Sequence, residues 1–332
     1  MLYEKLPQEH VRCHLCAHEC TIGEGKKGIC HVRQNVEGTL HTLVYGRTIA
    51  RNIDPIEKKP LFHFQPGSTS YSIATPGCNF RCDWCQNADI SQMPREKDLI
   101  MGSEAKPEDI VNDAARSGCR SIAYTYTEPT VFFEYTFDTA RLARRAGLAN
   151  VYVSNGYMSD EMLDIFHPYL DAINVDLKAF REETYHKYVG AKLQPILDNL
   201  IRIKQFGILL EVTTLIIPGI NDDPEELREA ARFIATELGV DTPWHISRFH
   251  PMYKLMHVPP TPIDIMKRSS EIGAEEGLHF VYLGNVAGAG NENTTCYSCG
   301  KTIVERTGYH VKVVGLADST CKFCGADLNF IF

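Results

Sequence analysis

Cys78, Cys82 and Cys85 fall within the eight residues CNFRCDWC, at a C-x3-C-x2-C spacing. The loop follows a short apolar run, Tyr71 to Thr75, and the turn pair Pro76-Gly77. Cysteine thiolates hold iron–sulfur clusters, and a cubane cluster normally takes four of them. Three ligands in one loop leave one iron open, and an open iron is a reaction site. Structural zinc takes four ligands in C-x2-4-C pairs. The uneven triad matches that pattern poorly, and Cys119 could complete it only from beside a separate strand-like run.

The remaining cysteines fall into two tetrads. Cys13, Cys16, Cys20 and Cys30 form C-x2-C-x3-C-x9-C, a spacing that suits zinc or an auxiliary iron–sulfur cluster equally. Cys296, Cys299, Cys321 and Cys324 form two C-x2-C-G knuckles, with short alternating runs between them. That pattern fits a zinc-ribbon or rubredoxin-like segment, with zinc favoured over iron. Cys119 is left over and reads as a small buried hydrophobe. Closed sites here receive four thiolates, and the open one receives three.

Elements must position these groups. Strand-like runs at 71–75, 121–126, 150–154, 172–177, 209–216, 244–249 and 279–283 alternate with helix-like segments such as 108–116 and 131–145. A further helix starts at Asp223-Pro224, with Glu226 placed for a capping box, and the last one starts at Thr261-Pro262. Repeated strand–helix units predict a parallel α/β sheet. Without a glycine-rich dinucleotide fingerprint, a curved partial barrel is favoured over a doubly wound sheet. The expected organisation is a cysteine-rich segment at 1–65, a core barrel at 66–290 and a metal-binding segment at 291–332.

The loop, with Trp84 before its third cysteine, resembles the signature of the radical S-adenosylmethionine (radical SAM) superfamily. Gln86-Asn87 is similar to the pyruvate formate-lyase activating enzyme branch. A fuller resemblance is to the radical SAM protein of the AmmeMemoRadiSam system. It runs through CHLCAHEC at 13–20, Thr127-Glu128-Pro129, Ile217-Pro218-Gly219-Ile220-Asn221-Asp222 and the cysteine-rich tail. The resemblance implies a partial (β/α)6 TIM-like barrel, a [4Fe–4S] cluster on Cys78, Cys82 and Cys85, and SAM bound at the open iron. It also implies a 5′-deoxyadenosyl radical as hydrogen abstractor, and a flavodoxin or ferredoxin as electron donor. Memo- and AMMECR1-type proteins become expected partners.

In such a barrel the functional side chains sit at the C-terminal ends of strands. Thr127 and Glu128 follow the second strand. Glu128 could accept from the SAM ammonium or cap the next helix. Ser154-Asn155-Gly156 is similar to the Thr-Asn-Gly of activating enzymes, although Val153 stands where the family has an aspartate. Asn174, Asp176 and Lys178 share one face by alternation, resembling the family's Asp-Leu-Lys. Asp176 suits the ribose hydroxyls, and Lys178 the SAM carboxylate or an ion pair with Asp176. His250 matches a histidine that lines the SAM site in activating enzymes, and Asn285 is a weaker candidate for the substrate opening.

A net charge of −8 argues against a general nucleic-acid binder. The start, MLYEKLPQEH, lacks an apolar signal region, and no run of eighteen apolar residues occurs, so a cytoplasmic, membrane-free location is expected. Two other readings stand beside the radical SAM enzyme: a glycyl-radical enzyme activating protein, and a non-catalytic zinc-rich scaffold.

Overall fold

The short apolar runs assemble into one sheet in a computed structural model that describes residues 2–286 and 292–332. Its strands are β1 (Ala50–Pro55), β2 (Thr69–Ala74), β3 (Ser121–Tyr124), β4 (Ala149–Ser154), β5 (Ala172–Asp176), β6 (Leu209–Ile216), β7 (Trp244–Arg248) and β8 (Val281–Gly284). From β2 to β8 the strands pair in parallel and in chain order. Among the described residues β1 and β8 do not pair, so the barrel stays open.

Each crossover carries a helix: α1 (Pro107–Arg116), α2 (Phe133–Arg145), α3 (Asp160–Phe166), α4 (Gln194–Gln205), α5 (Pro224–Phe233) and α6 (Ile263–Glu275). Their apolar stripes, such as Ile110, Val111 and Ala114 on α1, are buried in the core. Strands covered on both faces read as continuous apolar runs, and every residue of β3 is buried. The polar tips of the large core rings are satisfied, as with Tyr124 Oη donating to Asn150 Oδ1 at 3.0 Å and Trp244 Nε1 to Thr214 Oγ1 at 3.0 Å.

Several boundaries differ from the sequence reading. β1 lies inside the stretch assigned to the N-terminal segment and pairs antiparallel with β2. ARNIDP lacks apolar alternation because the strand is a largely exposed edge. β3 stops at Tyr124, because Tyr126 adopts φ 66° and turns the chain. The last strand starts at Val281, two residues later than its apolar run. Asp223 caps α5 through Glu225 N and Glu226 N, but Glu226 does not close a capping box. Its Oε1 accepts from Phe180 N instead, at 2.6 Å. Thr261 likewise leaves the start of α6 uncapped and uses Oγ1 to accept from Phe249 N and donate to Ile216 O.

The N-terminal segment packs against the barrel core, with Val11, Leu15 and Val32 buried alongside Phe80, Trp84 and Tyr157. The C-terminal segment folds as a three-stranded sheet (Thr294–Thr295, Thr302–Thr307, His310–Val313) and a hairpin (Leu316–Ala317, Thr320–Cys321). It shares a core with Phe280 and Tyr282 at β8 through Ile303, Val304, Leu328 and Phe330. A buried polar junction lies where this segment meets the barrel. Glu211 of β6 accepts from Phe62 N, His63 N and His245 Nε2 at 2.6–3.0 Å, and His63 bonds Leu328 O and Tyr282 Oη. No described helix is long and apolar enough to cross a membrane, and all twelve cysteines are free of disulfides.

Candidate active site

The cysteine loop leaves β2 through Gly77, whose φ of +104° favours glycine; a Cβ there would stand 2.6 Å from Val32 Cγ1. Backbone and side-chain bonds then fix the loop. Phe80 N donates to Cys78 Sγ at 3.3 Å, Arg81 N to Val189 O at 2.9 Å and Asp83 N to Tyr188 O at 3.1 Å. Gln92 Nε2 and Arg95 Nη1 both donate to Phe80 O at 3.1 Å. Phe80 and Trp84 are buried, Phe80 against Tyr157 and Tyr185, Trp84 against Tyr188. These contacts fix the backbone that carries the three sulfurs. Cys85 Sγ is 3.2 Å from Ser91 Oγ, and burial pushes the Cys82 thiol up to about 12.

All three cysteines line one cleft of about 510 Å³ at the C-terminal ends of the strands. Thr127, Glu128, Ser154, Asn155, Asp176 and Lys178 line the same cleft. His250 does not: Phe249 turns into the core as β7 ends, leaving His250 exposed and away from the lining. Asn285 does line the cleft, and its Nδ2 donates to Ser247 Oγ at 2.9 Å.

Glu128 is buried and fully engaged by the chain. Its Oε1 accepts from Thr130 N, Thr130 Oγ1 and Ser154 Oγ, and its Oε2 accepts from Asn155 N at 2.8 Å. It caps the short 3-10 turn Pro129–Phe132 that leads into α2 and fixes the end of β4. Burial raises its pKa, against the opposing effect of those bonds. Thr127 Oγ1 donates to Thr75 O at 2.8 Å, and Asn155 Nδ2 to Asn79 Oδ1 at 2.8 Å, which joins the strand ends to the cysteine loop. Asp176 and Lys178 form an ion pair at 3.0 Å. Burial alone would lower the Lys178 pKa, but the neighbouring Asp176 carboxylate raises it, so Lys178 stays cationic.

Sequence reasoning missed a second cluster in this cleft. Lys59 lines it, is 1% exposed, and donates Nζ to Asp54 Oδ2 at 2.6 Å. Lys59 Nζ also lies 4.7 Å from the ring centre of Tyr126, whose hydroxyl donates to the same carboxylate oxygen. Burial lowers the Lys59 pKa to about 8, partly offset by Asp54. In sequence, Glu57-Lys58-Lys59 looks like a solvated charge run. Only the placement of β1 and the turn at Tyr126 bring it inside. Tyr309, from the C-terminal segment, also reaches the cleft lining.

The profile of the Radical SAM superfamily matches residues 72–234, which span the cysteine loop and strands β3 to β6. The chain belongs to the radical SAM superfamily. It is 45% identical over 333 residues to an uncharacterized protein of Methanocaldococcus jannaschii, covering 100% of this chain and 98% of that protein. A second protein of that organism, named as a glycyl-radical enzyme activating enzyme, is 25% identical over 66% of this chain and 80% of its own length. Among solved structures, a radical SAM methyltransferase from Sphaerobacter thermophilus has the same fold, with a TM-score of 0.53 at 15% identity, covering 72% of this chain and 71% of that one. Membership in this superfamily makes the chain an enzyme, which sets aside the zinc-rich scaffold. It also implies a [4Fe–4S] cluster and SAM, and the three cleft cysteines, with no fourth cysteine lining the same cleft, fit that pair.

The C-terminal tetrad is compact. Cys296 and Cys324 sulfurs are 3.6 Å apart, those of Cys299 and Cys321 3.7 Å, and all four lie within 4.8 Å of one another, close enough to hold one metal ion.

Proposed function

We propose that Cys78, Cys82 and Cys85 hold a [4Fe–4S] cluster and that the cleft beside them binds SAM and a substrate. The observation that carries this reading is the convergence of a three-thiol loop and the polar ends of β3, β4 and β5 on one cleft. When bound and reduced, the cluster supplies the electron that splits SAM into methionine and a 5′-deoxyadenosyl radical, which takes hydrogen from substrate.

The chain's own residues have separable tasks. Thr127, Ser154 and Asn155 are offered to SAM by backbone that Glu128 holds in place. Asp176 serves the ribose hydroxyls and Lys178 the SAM carboxylate, their mutual ion pair giving way to hydroxyl donors at Asp176 and an anion at Lys178. Lys59 and Tyr126 lie on the cleft wall, both bonded to Asp54, so that a polar substrate would meet a cation and a phenol. The buried apolar ring around the loop, Phe80 and Trp84 foremost, limits water at the reacting centre. A one-electron reductant of the flavodoxin or ferredoxin type is required.

The C-terminal tetrad suits zinc. Tetrahedral Zn–S bonds of about 2.3 Å place sulfurs about 3.8 Å apart, close to the distances found there. Similarity to activating enzymes supports a second reading, in which the hydrogen donor is a glycine of a partner protein. The AmmeMemoRadiSam resemblance makes Memo- and AMMECR1-type proteins the first partners to test by co-purification.

The deciding experiment is anaerobic reconstitution with iron and sulfide, followed by SAM and dithionite. The native chain should form 5′-deoxyadenosine, and Cys78→Ala/Cys82→Ala/Cys85→Ala should form none. Equal product from both would reject the assignment. Deuterium transfer from labelled candidates, small molecules or a glycine-labelled partner, would then separate the two substrate classes.

A further inference from the structure

Cys13, Cys16, Cys20 and Cys30 converge in three dimensions. All four line a second, small cavity of about 20 Å³, whose wall combines aliphatic side chains such as Leu15, Ile22 and Val131 with the polar Arg33 and Asn79. The two flanking tetrads differ in how their sulfurs are spaced. Among the described residues, only the C-terminal four form a group whose ligand atoms all lie within 4.8 Å of one another. No three of the N-terminal sulfurs meet that distance, and neither do the three of the cleft. One tetrahedral zinc ion needs all of its sulfurs about 3.8 Å apart. In a cubane cluster each thiolate binds its own iron, so the sulfurs stand around a larger centre. The N-terminal sulfurs, like those of the cleft, are therefore not gathered as tightly as the compact zinc-like site.

A second, independent observation lies in the walls of the same cavity. Arg33 is 2% exposed and lines it; its terminal nitrogens pair with Glu134, while its Nε has no partner among the described residues. Asn79 is 1% exposed, lines it too, and leaves Nδ2 without a partner. Buried N–H groups left unpaired are costly, and both would be satisfied by an anionic sulfur-rich centre.

We propose that Cys13, Cys16, Cys20 and Cys30 hold a second [4Fe–4S] cluster, with Arg33 and Asn79 donating hydrogen bonds to its sulfur shell. With four thiolates the cluster is coordinatively closed and does not take SAM. Asn79 follows Cys78 directly, accepts from Asn155 through Oδ1, and accepts at its carbonyl from His18 Nε2 at 2.9 Å if that nitrogen carries the proton. One residue thus borders both centres, which gives the chain a one-electron store next to the reacting cluster.

The assignment stands apart from the question of SAM cleavage, and its test keeps the two separate. Full-length Cys78→Ala/Cys82→Ala/Cys85→Ala is reconstituted anaerobically with iron and sulfide in the presence of zinc. It should retain about four iron and about four sulfide per chain. Dithionite should produce a paramagnetic resonance signal that SAM leaves unchanged. An iron-free triple variant, with zinc at the tetrad or none, overturns the proposal whatever the native chain does with SAM. If that variant does not fold, Cys13→Ser/Cys16→Ser decides. Loss of about four iron relative to the native chain, with the SAM-responsive signal kept, supports the second cluster, and unchanged iron content rejects it.

Discussion

Glu128 commits both carboxylate oxygens to the chain, with four donors pointing at it from Thr130, Ser154 and Asn155. Glu128→Gln turns one acceptor into an NH2 group that must face a donor. The expected cost is about 1–3 kcal/mol of stability, seen as a lower melting temperature. Affinity for SAM should fall as Ser154 and Asn155 lose their anchor, while iron content stays unchanged. Normal SAM affinity in a destabilised variant would mean that Glu128 only caps the turn. Lys59 and Asp54 call for a different comparison. Lys59→Met leaves the buried Asp54 carboxylate with only the half-exposed Lys58 and the Tyr126 hydroxyl, and should cost about 1–3 kcal/mol. Asp54→Asn/Lys59→Met should recover part of that loss, because no unpaired charge remains. Urea unfolding of the two variants checks it, and a double variant no more stable than Lys59→Met would contradict the pairing. If the cluster also receives substrate, the double variant will form 5′-deoxyadenosine but transfer less hydrogen from substrate.

At the scale of elements, Gly77 decides how closely the N-terminal segment can lie on the cysteine loop. Gly77→Ala meets both an unfavourable φ and Val32 Cγ1 at 2.6 Å. Strain of this kind costs on the order of 1–3 kcal/mol, and it falls one residue before Cys78. Reconstituted iron per chain should drop although every cysteine is present; full iron loading at native stability would show that the loop tolerates displacement. The loop itself was legible in sequence because ligand spacing is local, and β2 to β8 were legible because doubly covered strands need continuous apolar runs. β1 was not, since an edge strand needs no such pattern. Nor was the Lys59 cluster, whose burial depends on β1 pairing with β2 and on the φ of Tyr126. His250 stands outside the cleft lining for a related reason: a position counted from a strand end does not reveal whether Phe249 or its neighbour takes the inward direction.

At the scale of the whole molecule, the C-terminal segment joins the barrel through groups that respond to acid. His63 is buried, stacks on Phe330 at 4.2 Å, and bonds Leu328 O and Tyr282 Oη. Burial lowers its pKa from 6.5 to about 4, with Glu211 opposing and Arg306 assisting. Between those values the unfolded chain binds a proton that the folded chain refuses. Stability is therefore fully present above pH 6.5 and declines as the pH falls toward 4, by an amount on the order of 3 kcal/mol in total. Carboxylates cannot mimic this in the upper part of the window, because in unfolded chains they titrate near pH 4. His63→Gln removes the titration and should be less stable at pH 7.5 but show a flatter decline to pH 5. Both chains lose acid-labile metal alike, so the difference between their slopes isolates the histidine. Urea unfolding followed by tryptophan fluorescence, at steps between pH 7.5 and 5, supplies the comparison. Because Tyr309 carries the C-terminal segment to the cleft lining, the same acidification should weaken SAM binding in the native chain more than in His63→Gln. Parallel losses in both would place the pH dependence elsewhere than at this junction.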